Sequence, residues 1–98
     1  MKIRHANSKT EIVETSDAHK LGLPVAVIVS ARRKLQFLRQ ARDERDIRAM
    51  KSLAFEKLKG DRKGEHSVRL NDQWRLVLRI DEECEPRELI ILSIEDYH

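Results

Sequence analysis

From residue 67 to residue 80 apolar and charged side chains alternate in two short runs, Ser67-Val68-Arg69-Leu70 and Trp74-Arg75-Leu76-Val77-Leu78-Arg79-Ile80, broken only by Asn71-Asp72-Gln73. A period of two interrupted by turn-forming residues is the pattern of a β-hairpin with one buried face. A two-residue loop at Asn71-Asp72 would oppose Arg69 to Trp74 and Val68 to Arg75, mixing charge with apolar bulk. A three-residue loop, 71 to 73, opposes Leu70 to Trp74, Arg69 to Arg75 and Val68 to Leu76. Directly opposed side chains share a face, so only the second register sorts apolar from charged. It turns Val68, Leu70, Trp74, Leu76, Leu78 and Ile80 toward the core and Arg69, Arg75 and Arg79 away from it. Arg69 against Arg75 is mildly unfavourable. Two readings of that face stand: a solvated row of arginines, or a surface whose repulsion an anionic ligand relieves.

Elsewhere the period changes. Ile28, Ala31, Leu35 and Leu38 form a helical stripe, and Gly22-Leu23-Pro24 before it places proline near the first turn, where its missing N–H does no harm. That helix carries Arg32, Arg33, Arg39 and Arg42 and should fade between Ala41 and Arg45. Ahead of it, Lys2 to His5 reads as a short edge strand. Ser8 to His19 reads as a weaker helix with Ile12 and Val13 as its strong apolar residues. Asp46 to Leu53 reads as a short helical or 3₁₀ connection with Ile47, Met50 and Leu53 turned inward. Glu88 to Ile94 is apolar at nearly every position, as expected of a strand that is central or covered on both faces. The order predicts an α+β domain: two N-terminal helices on one face of a small, mainly antiparallel sheet of three or four strands.

At 98 residues the chain is expected to be one domain, residues 1–98, large enough to bury roughly 65% of its unfolded surface. Leu21 to Val29 is too short to span a bilayer and contains Gly22 and Pro24, so no membrane segment is expected. The single cysteine, Cys84, fits a reducing cytoplasm, and its acidic turn 81–86 should raise its pKa and keep it from acting as a nucleophile. Net charge is +3, unevenly spread. Residues 30–63 hold twelve Lys/Arg against five Asp/Glu, and residues 64–98 hold four against nine. The basic middle suggests a polyanion or an acidic protein as partner.

The four histidines, His5, His19, His66 and His98, have neither i, i+4 spacing nor a cysteine partner, so neither a metal nor a cofactor is expected. Lys59-Gly60-Asp61-Arg62-Lys63-Gly64 precedes a strand rather than a helix, which argues against a phosphate-cradling nucleotide loop. What remains suits phosphodiester chemistry: Lys59, Arg69 and Arg75 as cations, Glu56 and His98 as proton carriers, and Tyr97 beside them. Metal-free RNA cleavage needs a base for the 2′-OH, an acid for the leaving 5′-oxygen and cations over the phosphorane. Spacing alone does not bring these residues together, and a lone terminal histidine is ordinarily a tail.

The segment Phe55 to Gly64, then Ser67 to Leu76 with its Asn-x-x-Trp-Arg element, then Asp96-Tyr97-His98, resembles the HigB-type toxins of the RelE/ParE superfamily. The likeness is carried by residues 53–98, with looser agreement at Gly22-Leu23-Pro24 and the basic helix. It implies a toxin of a type II toxin–antitoxin pair: a cytoplasmic, ribosome-dependent endoribonuclease that enters the ribosomal A site and cuts the mRNA being translated. Its partners would be mRNA, the ribosome and a cognate HigA-like helix-turn-helix antitoxin. Carried over by position, Lys59 and Arg75 resemble the phosphate-binding cations, and Asp96, Tyr97 and His98 the catalytic cluster. The RNA-binding set is Lys59, Arg62, Lys63, Arg69 and Arg75. The chain departs from the pattern at Glu56, where many relatives have histidine. Glu56 either substitutes as general base, an office Asp96 could also fill, or marks a weakened nuclease. His66 stands where the family often has an aromatic residue for base stacking. The alternative from the same superfamily is a non-catalytic, ParE-like toxin that acts by binding a protein, a reading the terminal acid–base cluster argues against.

Overall fold

The computed structural model describes residues 1–97. The hairpin takes the three-residue register: β3 (Glu65–Arg69) runs antiparallel to β4 (Trp74–Asp81), with Val68 opposite Leu76 and Arg69 opposite Arg75. Asn71 holds the turn, its side-chain carbonyl accepting from the backbone N–H groups of Gln73 at 2.9 Å and Trp74 at 2.8 Å. Val68, Leu70, Leu76 and Leu78 are buried, and Trp74 and Ile80 pack against the same core.

Around the hairpin the sheet has five strands in the order β1-β5-β4-β3-β2, against the three or four that the pattern predicts, β2 being the one not foreseen. β2 is the two-residue edge Glu56–Lys57, and β5 runs Glu88–Asp96. β1 (Ile3–His5) is the edge strand anticipated at the start of the chain, but it pairs parallel to β5 and so makes the sheet mixed. β5 contains a bulge: Ile91 opposes Leu78 while Ser93 opposes Val77, leaving Leu92 as the extra residue. The unbroken apolar run at 88–94 concealed this, since it has no alternation to lose phase. The bulge turns Leu89, Ile91 and Ile94 all to the core side and sends Ser93 and Glu95 to the other.

Three helices precede the hairpin. α1 is Ser8–Ile12, shorter than the expected Ser8–His19, and a separate 3₁₀ turn covers Ala18–Leu21. The break has a local cause. Thr15 donates its hydroxyl to Ile12 O at 2.8 Å and accepts from Asp17 N–H, competing with helical pairing, while Arg32 takes the carbonyls of Val13 and Thr15 at 2.8 Å each. α2 (Val25–Gln40) starts directly after Pro24 and buries Ile28, Ala31, Leu35 and Leu38 as its stripe requires. Ser30 donates to Leu70 O at 2.7 Å, tying this helix to the hairpin. α3 (Glu44–Ala49) is capped by Asp43 and followed by a 3₁₀ turn at Lys51–Leu53. Ile47 and Leu53 are buried, but Met50 is 41% exposed: it sits between the two helical pieces, where the backbone is extended and the inward phase is lost.

Replacing Leu35, fully buried between α2 and the sheet, with alanine should lower the unfolding free energy by ~2–5 kcal/mol. Val25→Ala on the same helix, 77% exposed, should change it by less than about 0.5 kcal/mol. Urea titrations followed by circular dichroism compare the two.

Candidate functional site

The sheet face away from the helices carries two of the residues singled out for proton transfer and phosphate binding, Glu56 and Arg75. Glu56 on β2 opposes Ser67, which opposes Val77, and Arg75 lies two residues before Val77 on the same face. Glu56 and Arg75 meet: Arg75 Nη2 is 3.8 Å from Glu56 Oε1. The carboxylate is the more open of the two, 56% exposed against 20% for Arg75. Arg75 is anchored from its other nitrogen, Nη1 donating to Ala54 O at 3.2 Å. Ala54 has φ 45°, a left-handed conformation that a side chain disfavours. That kink ends the 3₁₀ turn and starts β2, so one strained residue both aims the carbonyl at Arg75 and places Glu56.

Other members of the predicted set are placed differently. Lys59 and Lys63 are exposed, and neither has an ion-pair partner among the described residues. Arg69 opposes Arg75 as expected, but it is paired with Asp72 in its own turn. Arg62 reaches back over the sheet. It donates to Glu65 at 3.0 Å and, through both terminal nitrogens, to Glu95 at 2.6 and 2.5 Å. Because β4 lies between those two strands, the bridge crosses it at Val77, which is fully buried although it belongs to this outer face. Ser67 is buried beside it.

The bulge in β5 decides the position of the acidic end. Glu95 opposes Arg75 on the outer face, and Asp96 opposes Trp74 on the helix side, where it accepts from Gln73 Nε2 at 2.9 Å. Tyr97 continues the pairing, its N–H donating to Gln73 O at 2.6 Å. His98 lies outside the described residues. His66 opposes Leu78 and Lys57, hence faces the helices, and its ring stacks on Phe55 with centroids 4.9 Å apart. It does not offer a stacking surface to a base on the outer face. Cys84 donates to Asp81 at 3.3 Å, and this bond holds its thiol pKa up, as the acidic turn implied. Among the described residues no three His, Cys, Asp or Glu side chains gather to hold a metal ion. No helix among them is long and apolar enough to cross a membrane.

Glu95 is the outer-face residue that sequence reasoning missed. Its only signal was the acid at 95 ahead of Asp96, and the phase shift that exposes it to Arg62 leaves no mark in the pattern.

A family model described as a RelE-like toxin of the type II toxin–antitoxin system HigB matches residues 5–95. Toxin HigB-1 of Vibrio cholerae serotype O1 is 35% identical over 69 residues, covering 70% of this chain and 72% of that protein. In fold the chain is similar to a YoeB/ParE toxin from Agrobacterium tumefaciens, with a TM-score of 0.59, 17% identity and all of both chains covered. It is also similar to a chain of the YoeB–YefM complex from Staphylococcus aureus, with a TM-score of 0.56 and 20% identity over 100% of this chain and 97% of that one. For the RelBE2 toxin–antitoxin complex from Mycobacterium tuberculosis the TM-score is 0.53 at 21% identity, covering 99% and 96%.

The Arg62 guanidinium holds the Glu95 carboxyl below its ordinary value of 4.5, against partial burial and with help from the Ser93 hydroxyl. A folded-state pKa below the unfolded one stabilises the fold above the ordinary value, and that gain is lost as pH falls through the folded value. Wild type should therefore exceed Glu95→Gln by about 1 kcal/mol at pH 7, the pair being partly open to solvent. The difference should shrink progressively below about pH 4.5, as read from urea midpoints across the pH range.

Proposed function

The chain belongs to the HigB family of RelE-like toxins of type II toxin–antitoxin systems, and on that premise we propose that it is a cytoplasmic, metal-independent, ribosome-dependent mRNA endoribonuclease neutralised by a cognate HigA-like antitoxin. The observation that carries this reading is the Glu56–Arg75 pair at 3.8 Å on the open sheet face. A carboxylate beside a guanidinium is the minimal arrangement for taking a proton from a 2′-OH while a cation waits over the adjacent phosphate. Glu56 takes the 2′-OH proton. The oxygen attacks phosphorus, charge builds on the phosphorane under Arg75 and Lys59, and His98 protonates the departing 5′-oxygen. The products are a 2′,3′-cyclic phosphate and a free 5′-hydroxyl. Tyr97 and Asp96 would flank His98 in sequence; Asp96, the alternative base of the sequence reading, opposes Trp74 on the helix side and is the worse placed of the two carboxylates for a phosphate under Arg75.

The long 3.8 Å separation matters to this reading. Arg75 is held by the Ala54 carbonyl and touches Glu56 only loosely, so its donors can turn to a phosphate without breaking a tight salt bridge. Lys63 and Arg69 extend the cationic track, Arg69 by exchanging the exposed Asp72 for a backbone phosphate. Arg62 contributes mainly by bracing the loop that carries Lys59.

Mapping mRNA ends in a translation extract with and without the protein tests the activity. Discrete cuts in translated mRNA are expected, and arrested translation with intact mRNA would instead favour the protein-binding alternative. Glu56→Gln and loss of His98 should each slow single-turnover cleavage by about 10²–10⁴-fold. Glu56→His should retain activity with the acid limb of the pH profile moved toward the imidazole range near 6.5. Wild-type speed in Glu56→Gln would remove Glu56 from the mechanism.

Binding is tested separately. If Arg75 contacts a phosphate, Arg75→Gln should reduce the log–log salt slope for single-stranded RNA by about 0.7. An unchanged slope would show that it does not touch the backbone.

A further inference from the structure

Most arginines of the basic middle segment are already committed. Arg32 bonds two carbonyls, Arg39 grips Glu14, Arg42 and Arg45 pair with Asp46 and Asp43, and Arg62 holds Glu95 and Glu65. One place differs. On the helix side of the sheet, between α3, the β2 edge, the end of β3 and the β4–β5 turn, a cavity of about 430 Å³ is lined by Arg48, Lys57, Arg79 and Arg87. Its acids are Glu44 and Glu82, and both are taken up by Arg87, at 2.5 and 4.0 Å. Lys57 and Arg79 have no ion-pair partner among the described residues, and both are exposed. Arg48 is held in place by a stack: its guanidinium lies 5.4 Å over the Phe55 ring, which in turn stacks on His66.

Four cations against two acids leave a surplus of two positive charges in one concavity with no counter-charge. His66 completes the lining, with Nδ1 buried and unpartnered. We propose that this cavity is a phosphate-binding site, distinct from the Glu56–Arg75 pair, from which the alternation of β2 divides it. A phosphate group carries the matching charge and enough oxygens to meet two guanidinium forks and an ammonium at once. The alternation of β2 is what makes two sites of one strand, Glu56 turning to one face and Lys57 to the other. Arg79 belongs by register to the outer face, but β3 ends at its partner Glu65, so its side chain has room to line the cavity. The phosphate comes from an RNA backbone or from a free nucleotide. The RNA source rests on the reading above, whereas the phosphate site itself does not.

The site has a built-in reporter. Burial first, then Arg48 and Lys57, push the His66 pKa down, opposed more weakly by Glu44 and Glu82. An anion bound among those cations reverses the balance and raises it.

The experiment is an NMR titration of the His66 ring in the intact protein, assigned with His66→Gln, in inorganic phosphate against chloride at equal ionic strength. Phosphate should raise the His66 pKa by about half a unit or more. Arg48→Gln and Lys57→Gln should each weaken phosphate binding by about tenfold. Arg33→Gln, which removes an equal charge from exposed helix surface, should leave it within about twofold. Lys57 and Arg48 are exposed, and each variant's folding is checked by its amide spectrum. A phosphate response no larger than chloride's, or one reduced equally by Arg33→Gln, overturns the proposal. So does a stronger response to a tetraglutamate peptide than to phosphate, which would make the cavity a protein-docking site. With a 2′-O-methyl RNA trinucleotide and adenosine monophosphate, the stronger ligand per phosphate identifies the source, and either result upholds the site. Phosphate binding without mRNA cleavage in the extract would leave this site standing and the nuclease reading fallen; cleavage without phosphate binding would do the reverse.

Discussion

Two hydrogen bonds to one side chain determine which way the hairpin faces. Asn71 accepts from Gln73 and Trp74 and so closes a three-residue turn rather than a two-residue one. A strand has only two faces, and a slip of one residue exchanges them. In the other register Arg75 would enter the core beside Val68, and the apolar row from Trp74 to Ile80 would meet solvent. With the turn closed as it is, α2 has an apolar surface to cover, Ser30 finds the Leu70 carbonyl, and Arg75 is left on the open side, where Glu56 can reach it.

The opposite faces of the sheet are consequently unlike in chemistry although both are cationic. On the outer face the charges are interleaved with carboxylates, and Arg62 spends its whole fork on bracing β5 to the loop before β3. On the helix side, at the corner beside Glu65, four cations line one concavity with two acids, Glu44 and Glu82, both beside Arg87. A mixed surface supports reversible contact and proton transfer, whereas a concentrated one suits simple capture of an anion. Net charge alone would not have separated the two.

How far the sequence could be read depended on whether each residue's surroundings were local. The hairpin register was legible because Val68, Leu70, Leu76 and Leu78 alternate with arginines, and the α2 stripe because Ile28, Ala31, Leu35 and Leu38 repeat with a helical period. Met50 failed because a three-residue period was extended through a break that only the tertiary structure imposes. The parallel pairing of β1 with β5 joins residues more than eighty positions apart, and no local signal announces it. The bulge at Leu92 lies in a run too uniformly apolar to show phase, so the opposite placements of Glu95 and Asp96 were hidden with it. For the same reason Arg62 looked like a free cation in a glycine-punctuated loop, when its partner waits 33 residues away.

The fifth strand in chain order is also an inner one. β5 lies between β1 and β4, and it supplies the carboxylates for Arg62 and, through Glu88, for Arg4. Until it arrives, β1 has no neighbour to pair with, β4 has one bare edge, and Arg62 lacks Glu95. Pairing the first strand with the last is slow to find and cannot begin early. A chain still being synthesised therefore carries the residues of the outer face without the brace that arranges them. The order of strands along the sheet thus works as a delay: the outer face is not arranged until its fifth strand has been threaded between β1 and β4.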